Sequence, residues 1–251
     1  MSQLSIGLIL PEVLGTYGDD GNALVLRQRA RMRDIDAEIV PIHLGDPVPN
    51  SLDLYCLGGG EDTAQILAAE HLQQHQGLQQ AAAKNTPILA ICAGFQVLGE
   101  SFRADNRVVD GIGLINATTA SLKVRAIGEL RTTPSKVGVT SQLTQPLIGF
   151  ENHMGATILG ADAQPLGQVA SGVGNTDEFG VQDKDAALVG TEGAVQGSVI
   201  CTYMHGPALA RNPELADLLL ANALGVELSE LAPLDIPVVS QLREERLAAT
   251  E

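Results

Sequence analysis

Tryptophan is absent from this 251-residue chain, and aromatic residues together make up 3% of it. Surfaces that stack nucleobases need aromatic faces, so base-stacking recognition is not expected. Basic residues are also scarce. Fifteen Lys and Arg stand against 30 Asp and Glu, a formal net charge of −15. Nucleic-acid binding rests on clustered cations that displace counterions, so no nucleic-acid partner is expected. Cysteine occurs only as Cys56, Cys92 and Cys201, without CxxC spacing, and no HExxH pair is present. A zinc site therefore has no sequence support, and no metal is expected. There is no Walker A loop and no carboxylate cluster suited to Mg²⁺, so the chain is not expected to use ATP by itself. The opening MSQLSIGLIL lacks a basic region and a cleavage site, and its apolar run is too short to span a bilayer. Together with unpaired thiols, this points to a cytoplasmic protein with no direct membrane insertion.

What is present is a core. Hydrophobic residues make up 45% and charged residues 18%, the balance of a folded globule. The first hundred residues alternate between strand-like and helix-like segments. Strands are expected at Leu4 to Leu10, Ala37 to Ile42, Leu52 to Leu57 and Pro87 to Ile91. Helices are expected at Ala23 to Arg33 and along one stretch from Thr63 to Lys84. The polar loop Glu12 to Asn22 and the turn Gly58-Gly59-Gly60 punctuate them. This alternation predicts an α/β fold, with a mostly parallel sheet flanked by helices.

From about Asp110 to Val195 helical periodicity fades. Short runs such as Gly111 to Asn116, Leu147 to Phe150 and Ala187 to Gly190 suggest antiparallel strands added to the main sheet. Ser198 to Tyr203 returns to that sheet, and Glu214 to Leu224 reads as a helix with Pro213 near its first turn. Residues 1–232 are thus expected to form one domain. Residues 233–251 form a tail with one short helix, which packs on the domain or reaches a partner.

Two segments carry chemistry. In PILAICAGFQVLG, Ile88 to Ile91 form a buried strand that delivers Cys92 to a turn of small residues and the start of a helix. Unpaired backbone N–H groups and the positive end of a helix dipole then face the sulfur, a setting that favours a nucleophile. In VICTYMHGP a second strand ends at His205, before Gly206 and Pro207. Carboxyl ends of parallel strands form the ligand crevice, which would bring Cys92 and His205 to one edge. A Cys beside a His base is the minimum for thiol catalysis. The competing readings are a buried core cysteine and a satisfied loop histidine. Cys56 and Cys201 read as inert packing, and His43, His71 and His75 as surface residues.

Tyr17-Gly18-Asp19-Asp20-Gly21-Asn22, Leu26-Arg27-Gln28-Arg29-Ala30, the triple glycine, Ile91 to Gln96, Gly149-Phe150-Glu151-Asn152-His153 and Tyr203 to Pro207 follow in that order. In these segments the chain resembles the class I glutamine amidotransferases. Within them it is most similar to the cobyric-acid-synthase-like branch and, more narrowly, to the GatD-type small subunits of lipid II isoglutaminyl synthases. The resemblance implies a flavodoxin-like fold and a glutaminase half-reaction on L-glutamine, with Cys92 as nucleophile and His205 as the proton carrier. It implies an oxyanion hole from backbone N–H groups of Ala93, Gly59 and Gly60. Arg125 would grip the substrate α-carboxylate, with Arg131 as second candidate, and Gln96 would line the substrate site. It implies no cofactor in this chain, and a heterodimer with a Mur-ligase-like synthase subunit that carries ATP and Mg²⁺. The product would be D-isoglutamine in the lipid II stem peptide, a step of peptidoglycan synthesis.

Two departures stand out. Pro207 occupies the position where many class I members place a Glu that orients the histidine, and Ala90 replaces a common Gly. Asp19, Glu151 or a residue of the partner are the candidates for the missing acid. Asp20 and Asn22 read as helix N-caps. His153 reads as a turn cap or a substrate contact. An amidotransferase subunit of another pathway, such as cobalamin amidation, a free thiol hydrolase and a non-catalytic glutamine-binding regulatory module remain open.

Overall fold

The computed structural model describes residues 3–180 and 188–248. Two six-stranded sheets organise them. The first contains β1 (Leu4–Ile9), β2 (Ala37–Ile42), β3 (Leu54–Leu57), β4 (Ile88–Ile91), β11 (Ala194–Gln196) and β12 (Val199–Thr202). Its spatial order is β11-β12-β4-β3-β1-β2. All its pairings are parallel except β11 with β12. Sequence explains the order. LYCL, ILAI and VICT are buried at every position and fill the centre, as strands covered on both faces must. AEIVPI is buried only at its two ends and carries Pro41, which suits the edge position of β2.

Helices α1 (Gly21–Arg31), α2 (Asp62–Gln74), α3 (Gly77–Ala83), α4 (Ala93–Leu98), α5 (Ala208–Arg211), α6 (Pro213–Leu224) and α7 (Pro237–Ala248) complete the α/β architecture. Pro213 occupies the first turn of α6, and Gly225, in the left-handed region, ends it. Arg29 makes two bonds of 2.7 and 2.6 Å to Asp217, tying α1 to α6, and Arg33 adds a third at 2.8 Å.

The strands expected to extend the main sheet instead build a second one, apart from β11, and it is antiparallel except where β5 pairs with β7. It contains β5 (Ser101–Ala104), β6 (Arg107–Asp110), β7 (Ala117–Pro134), β8 (Leu147–Leu159), β9 (Gly167–Ser171) and β10 (Thr191–Glu192). Their order is β10-β9-β7-β5-β6, with β8 on β7. A bridge from β8 joins this sheet to the first. Phe150 N–H donates to the His205 carbonyl at 3.1 Å, and His205 N–H to the Phe150 carbonyl at 2.8 Å.

Three local expectations differ from the structure. The stretch from Thr63 to Lys84 is two helices, broken at His75 and Gln76. A side chain at Gly77 would collide with the Val48 carbonyl, so the chain must turn there around a close backbone approach. Gly111 to Asn116 is not a strand. Ile112 donates to Val97 and Leu114 to Leu98, so this segment satisfies the carbonyls at the end of α4. Of the run from Ala187 to Gly190, Ala187 lies outside the described residues and the rest forms a turn. The tail helix α7 packs on the domain, where Arg243 donates to the Arg211 carbonyl at 2.7 Å and also to the Pro146 carbonyl. Among the described residues no helix is long and apolar enough to cross a membrane.

Candidate active site

The site lies at the carboxyl ends of β1, β3, β4 and β12. Cys92 occupies the turn between β4 and α4, with φ 50° and ψ −104°. Such a backbone is sparsely populated and costs about 1–3 kcal/mol. Surrounding bonds enforce it. Cys92 N–H donates to the Thr202 carbonyl at 2.9 Å, and Gly94 N–H to the Gly58 carbonyl at 3.1 Å. The sulfur-bearing residue is thus pinned to both neighbouring strands at a sharp strand-to-helix elbow.

His205 follows β12 and is 2% exposed, and Asp19, in the loop after β1, is equally buried. The imidazole Nδ1 meets both Asp19 oxygens, at 2.9 and 3.1 Å. Among the described residues, Nε2 is buried without a hydrogen-bond partner. Burial alone would lower the histidine pKa, but the Asp19 bond and the neighbouring Cys92 outweigh it and push the value up to about 10. Asp19 and Cys92 thus favour the protonated ring.

Gly59 explains how the three side chains meet. A Cβ placed there would sit 2.9 Å from His205 Cε1, 3.1 Å from Asp19 Oδ2 and 3.5 Å from Cys92 Cβ. The three groups thus converge on one bare backbone position. Gly58 is equally constrained, because a side chain there would collide with the Leu14 carbonyl.

Of the two carboxylates proposed to orient the imidazole, only Asp19 touches it. Glu151 is buried elsewhere, with its two oxygens accepting from Val173 and Gly174 N–H at 2.7 and 2.9 Å. Pro207 packs on Gly21, where any Cβ would strike its ring. The expected oxyanion donors divide as well. Gly59 N–H donates to Asp19 at 2.9 Å and is committed to holding that carboxylate. Gly60 and Ala93 line the cavity beside Cys92, and Ala93 opens α4, where a backbone N–H has no partner within the helix.

That cavity measures about 250 Å³ and lies between the loops and helices at the end of the first sheet and strands β5, β7 and β8 of the second. Arg125 lines it and donates to Asn152 Oδ1 at 3.0 Å. Arg131 does not line it. Gln96 does, with its amide accepting from Gln65 at 2.7 Å and donating to Tyr203 at 3.1 Å. Behind it, the Tyr203 hydroxyl meets Thr157 Oγ1 at 2.5 Å, and the His153 ring stacks on Tyr203 at 3.8 Å. His153 is thus buried against the cavity wall.

Sequence reasoning missed Tyr17 and Glu61 as cavity residues. Tyr17 holds φ 63°, an outlier for a bulky side chain, and its ring centre lies 4.9 Å from that of His205. Its position inside YGDDGN was the available signal. Asp20 occupies the N-cap position of α1, but its side chain makes no capping bond, and Asn22 lies inside the helix. Asn22 accepts from Leu209 N–H at 2.9 Å and secures α5. His71 is buried, not a surface residue, and burial with the nearby His75 lowers its pKa. Cys56 and Cys201 are fully buried, and burial raises both thiol pKa values.

Comparison with known proteins places this geometry in a family. Residues 5–213 match the CobB/CobQ-like glutamine amidotransferase domain. The chain is 34% identical over 226 residues to the lipid II isoglutaminyl synthase (glutamine-hydrolyzing) subunit GatD of Staphylococcus aureus (strain N315), covering 89% of this chain and 85% of that one. It is also 34% identical over 227 residues to the subunit of the same name from Streptococcus pneumoniae (strain ATCC BAA-255 / R6), covering 88% and 81%. Among solved structures, that of SMU.1228c aligns with a TM-score of 0.50 at 14% identity, over 98% of this chain and 99% of that one, a likeness of fold alone. The strand–helix elbow, the sheet order and these matches agree: the chain belongs to the CobB/CobQ-like class I glutamine amidotransferases and is a glutamine amidotransferase subunit.

Proposed function

We propose that this chain hydrolyses L-glutamine through Cys92, His205 and Asp19 and hands the ammonia to a separate ATP-dependent ligase. The observation that carries the reading is the convergence of these three side chains around Gly59. Cys92 Sγ attacks the side-chain amide carbon, forming a C–S bond and an oxyanion. Backbone N–H groups of Ala93 and Gly60 are the donors placed to receive that charge. Collapse breaks the C–N bond, and the His205 Nε2 proton passes to the departing nitrogen, which leaves as ammonia. A γ-glutamyl thioester remains on Cys92. Water then attacks it, His205 takes the water proton, and glutamate leaves as the C–S bond breaks. Asp19 fixes the ring so that Nε2 faces the sulfur side, and it stabilises the imidazolium.

Substrate recognition follows from the cavity. Arg125 offers a guanidinium fork to the α-carboxylate. Gln96, with one N–H and one lone pair still uncommitted, presents polar contacts from the wall. The 34% identity to GatD subunits supports lipid II as the destination of the ammonia. In this reading a Mur-ligase-like synthase subunit binds this chain, carries ATP and Mg²⁺, and converts stem-peptide D-glutamate to D-isoglutamine. Both proteins work in the cytoplasm.

The test is ammonia release from L-glutamine, with and without the ligase subunit, for wild type and Cys92→Ala. Release that depends on Cys92 supports the reading. Equal release by both proteins overturns the nucleophile assignment.

A further inference from the structure

Asn152 sits on β8 between two residues that frame the cavity mouth. Its Oδ1 accepts from Arg125 Nη1 at 3.0 Å, and its Nδ2 donates to the Tyr17 hydroxyl at 3.0 Å. Arginine has only donors, so the amide oxygen must face Arg125 and the amide nitrogen must face Tyr17. The three side chains form one bridge, joining the loop after β1 to the second sheet. Its far end closes on chemistry, because the Tyr17 ring lies 4.9 Å from the His205 ring.

Arg125 needs this support. It lies where the pairing of β7 with β8 shifts register between Ser121 and Ala126, so no regular cross-strand partner fixes it. Its side chain is exposed, and among the described residues Asn152 is its hydrogen-bond partner. A free arginine loses several rotamers when it grips a carboxylate, and ordering it beforehand removes that cost from binding. One Nη1 proton goes to Asn152. The rest of the guanidinium fork stays available for a bidentate contact.

We infer that Asn152 is the positioning residue for recognition of the substrate α-carboxylate: it holds the Arg125 guanidinium in the cavity and ties it to Tyr17, the cover over His205. The inference rests on the glutaminase reading above. It assigns Asn152 no contact with the reacting atoms. Its signature is therefore in substrate affinity and not in the chemical step.

The experiment compares wild type, Asn152→Leu, Arg125→Ala and the double variant in complex with the ligase subunit. It measures steady-state ammonia release and calorimetric binding of L-glutamine. Asn152→Leu should raise KM and the dissociation constant about 10- to 100-fold, as expected for loss of a hydrogen bond to a charged group. Its kcat should stay within about threefold of wild type. The double variant should be no worse than Arg125→Ala, because the two residues act as one unit. Discrimination between L-glutamine and L-glutaminamide, which lacks the carboxylate charge, should fall alike in both single variants. An unchanged KM in Asn152→Leu overturns the inference while wild-type turnover leaves the glutaminase reading standing. So do effects that multiply in the double variant. A wild type that neither binds nor hydrolyses glutamine overturns both. Thermal denaturation of each variant separates misfolding from loss of affinity, and Tyr17→Phe, which removes only the hydroxyl, gives a second variant that should raise KM in the same direction.

Discussion

Asp19 and His205 are 186 positions apart in the chain and 2.9 Å apart in space. Parallel pairing makes this possible, because β1 and β12 both end at the same edge of one sheet. Asp19 also accepts the Gly59 N–H, so the carboxylate is fixed before it meets the imidazole. Asp19→Asn keeps the volume and loses the charge. Its kcat for glutamine hydrolysis should fall by about 100- to 10,000-fold, with little change in KM. Steady-state ammonia release checks this. A variant with near wild-type kcat would assign the orienting role to a partner residue.

Glu151→Gln should behave differently. Its oxygens hold the Val173 and Gly174 N–H groups and do not reach His205. An amide in its place can keep only one acceptor, so the loop from Gly172 to Gly174 loosens. Thermal stability should drop while the pH profile of hydrolysis keeps its shape. A shifted profile with unchanged stability would contradict the geometry.

The His205 pKa gives a stability prediction with a definite sign. It is pushed up to about 10 in the folded protein, against about 6.5 for an unperturbed histidine. A raised folded-state pKa contributes stability that is complete below about pH 6.5 and is lost as the pH rises through about 10. Wild type should therefore lose stability from neutral to alkaline pH, and Asp19→Asn should lose less. Urea midpoints for both proteins at about pH 6, 8 and 10 test this. Parallel curves would mean that the Asp19–His205 pair does not carry the linkage.

Gly59→Ala tests the convergence itself. Its methyl group would stand 2.9 Å from His205 Cε1 and 3.1 Å from Asp19 Oδ2. Either the imidazole or the carboxylate must move, and misplacement near 1 Å costs about 100-fold in rate. Hydrolysis should fall by that order, and circular dichroism should remain that of the wild type. Full activity would show that the site tolerates a wider spacing than this account requires.

Asp217→Ala probes the frame away from the site. It would leave Arg29 and Arg33, whose side chains are 8% and 3% exposed, without their shared carboxylate. Breaking such a pair costs about 3 kcal/mol, or about 6–12 °C in Tm for a chain of this size. Calorimetry reads it directly. A shift under about 2 °C would mean that the pair contributes little.

The elements that position the site were legible because their signals are local. Apolar four-residue runs marked β3, β4 and β12, and small residues marked the Cys92 turn. The site's third member was harder. Asp19 and Glu151 look alike in sequence, since each lies in a polar segment near a strand end. What separates them is three-dimensional: Asp19 sits behind Gly59, and Glu151 faces the Gly172–Gly174 loop. Gly59 follows the same rule. A glycine turn near a nucleophile suggests a donor for substrate, but its N–H is spent on Asp19. Gly77 broke the long helix through a contact with Val48 that no helical periodicity encodes. Asn152 could not be singled out at all, because its meaning depends on two residues brought from β7 and from the loop after β1.

The most direct measurement is rapid acid quench of the complex with L-glutamine, followed by mass spectrometry of its peptides. A γ-glutamyl adduct should appear on the peptide containing Cys92 and be lost in Cys92→Ala. Ammonia release with no adduct on Cys92, or with the adduct on Cys56 or Cys201, would contradict the thioester mechanism at Cys92.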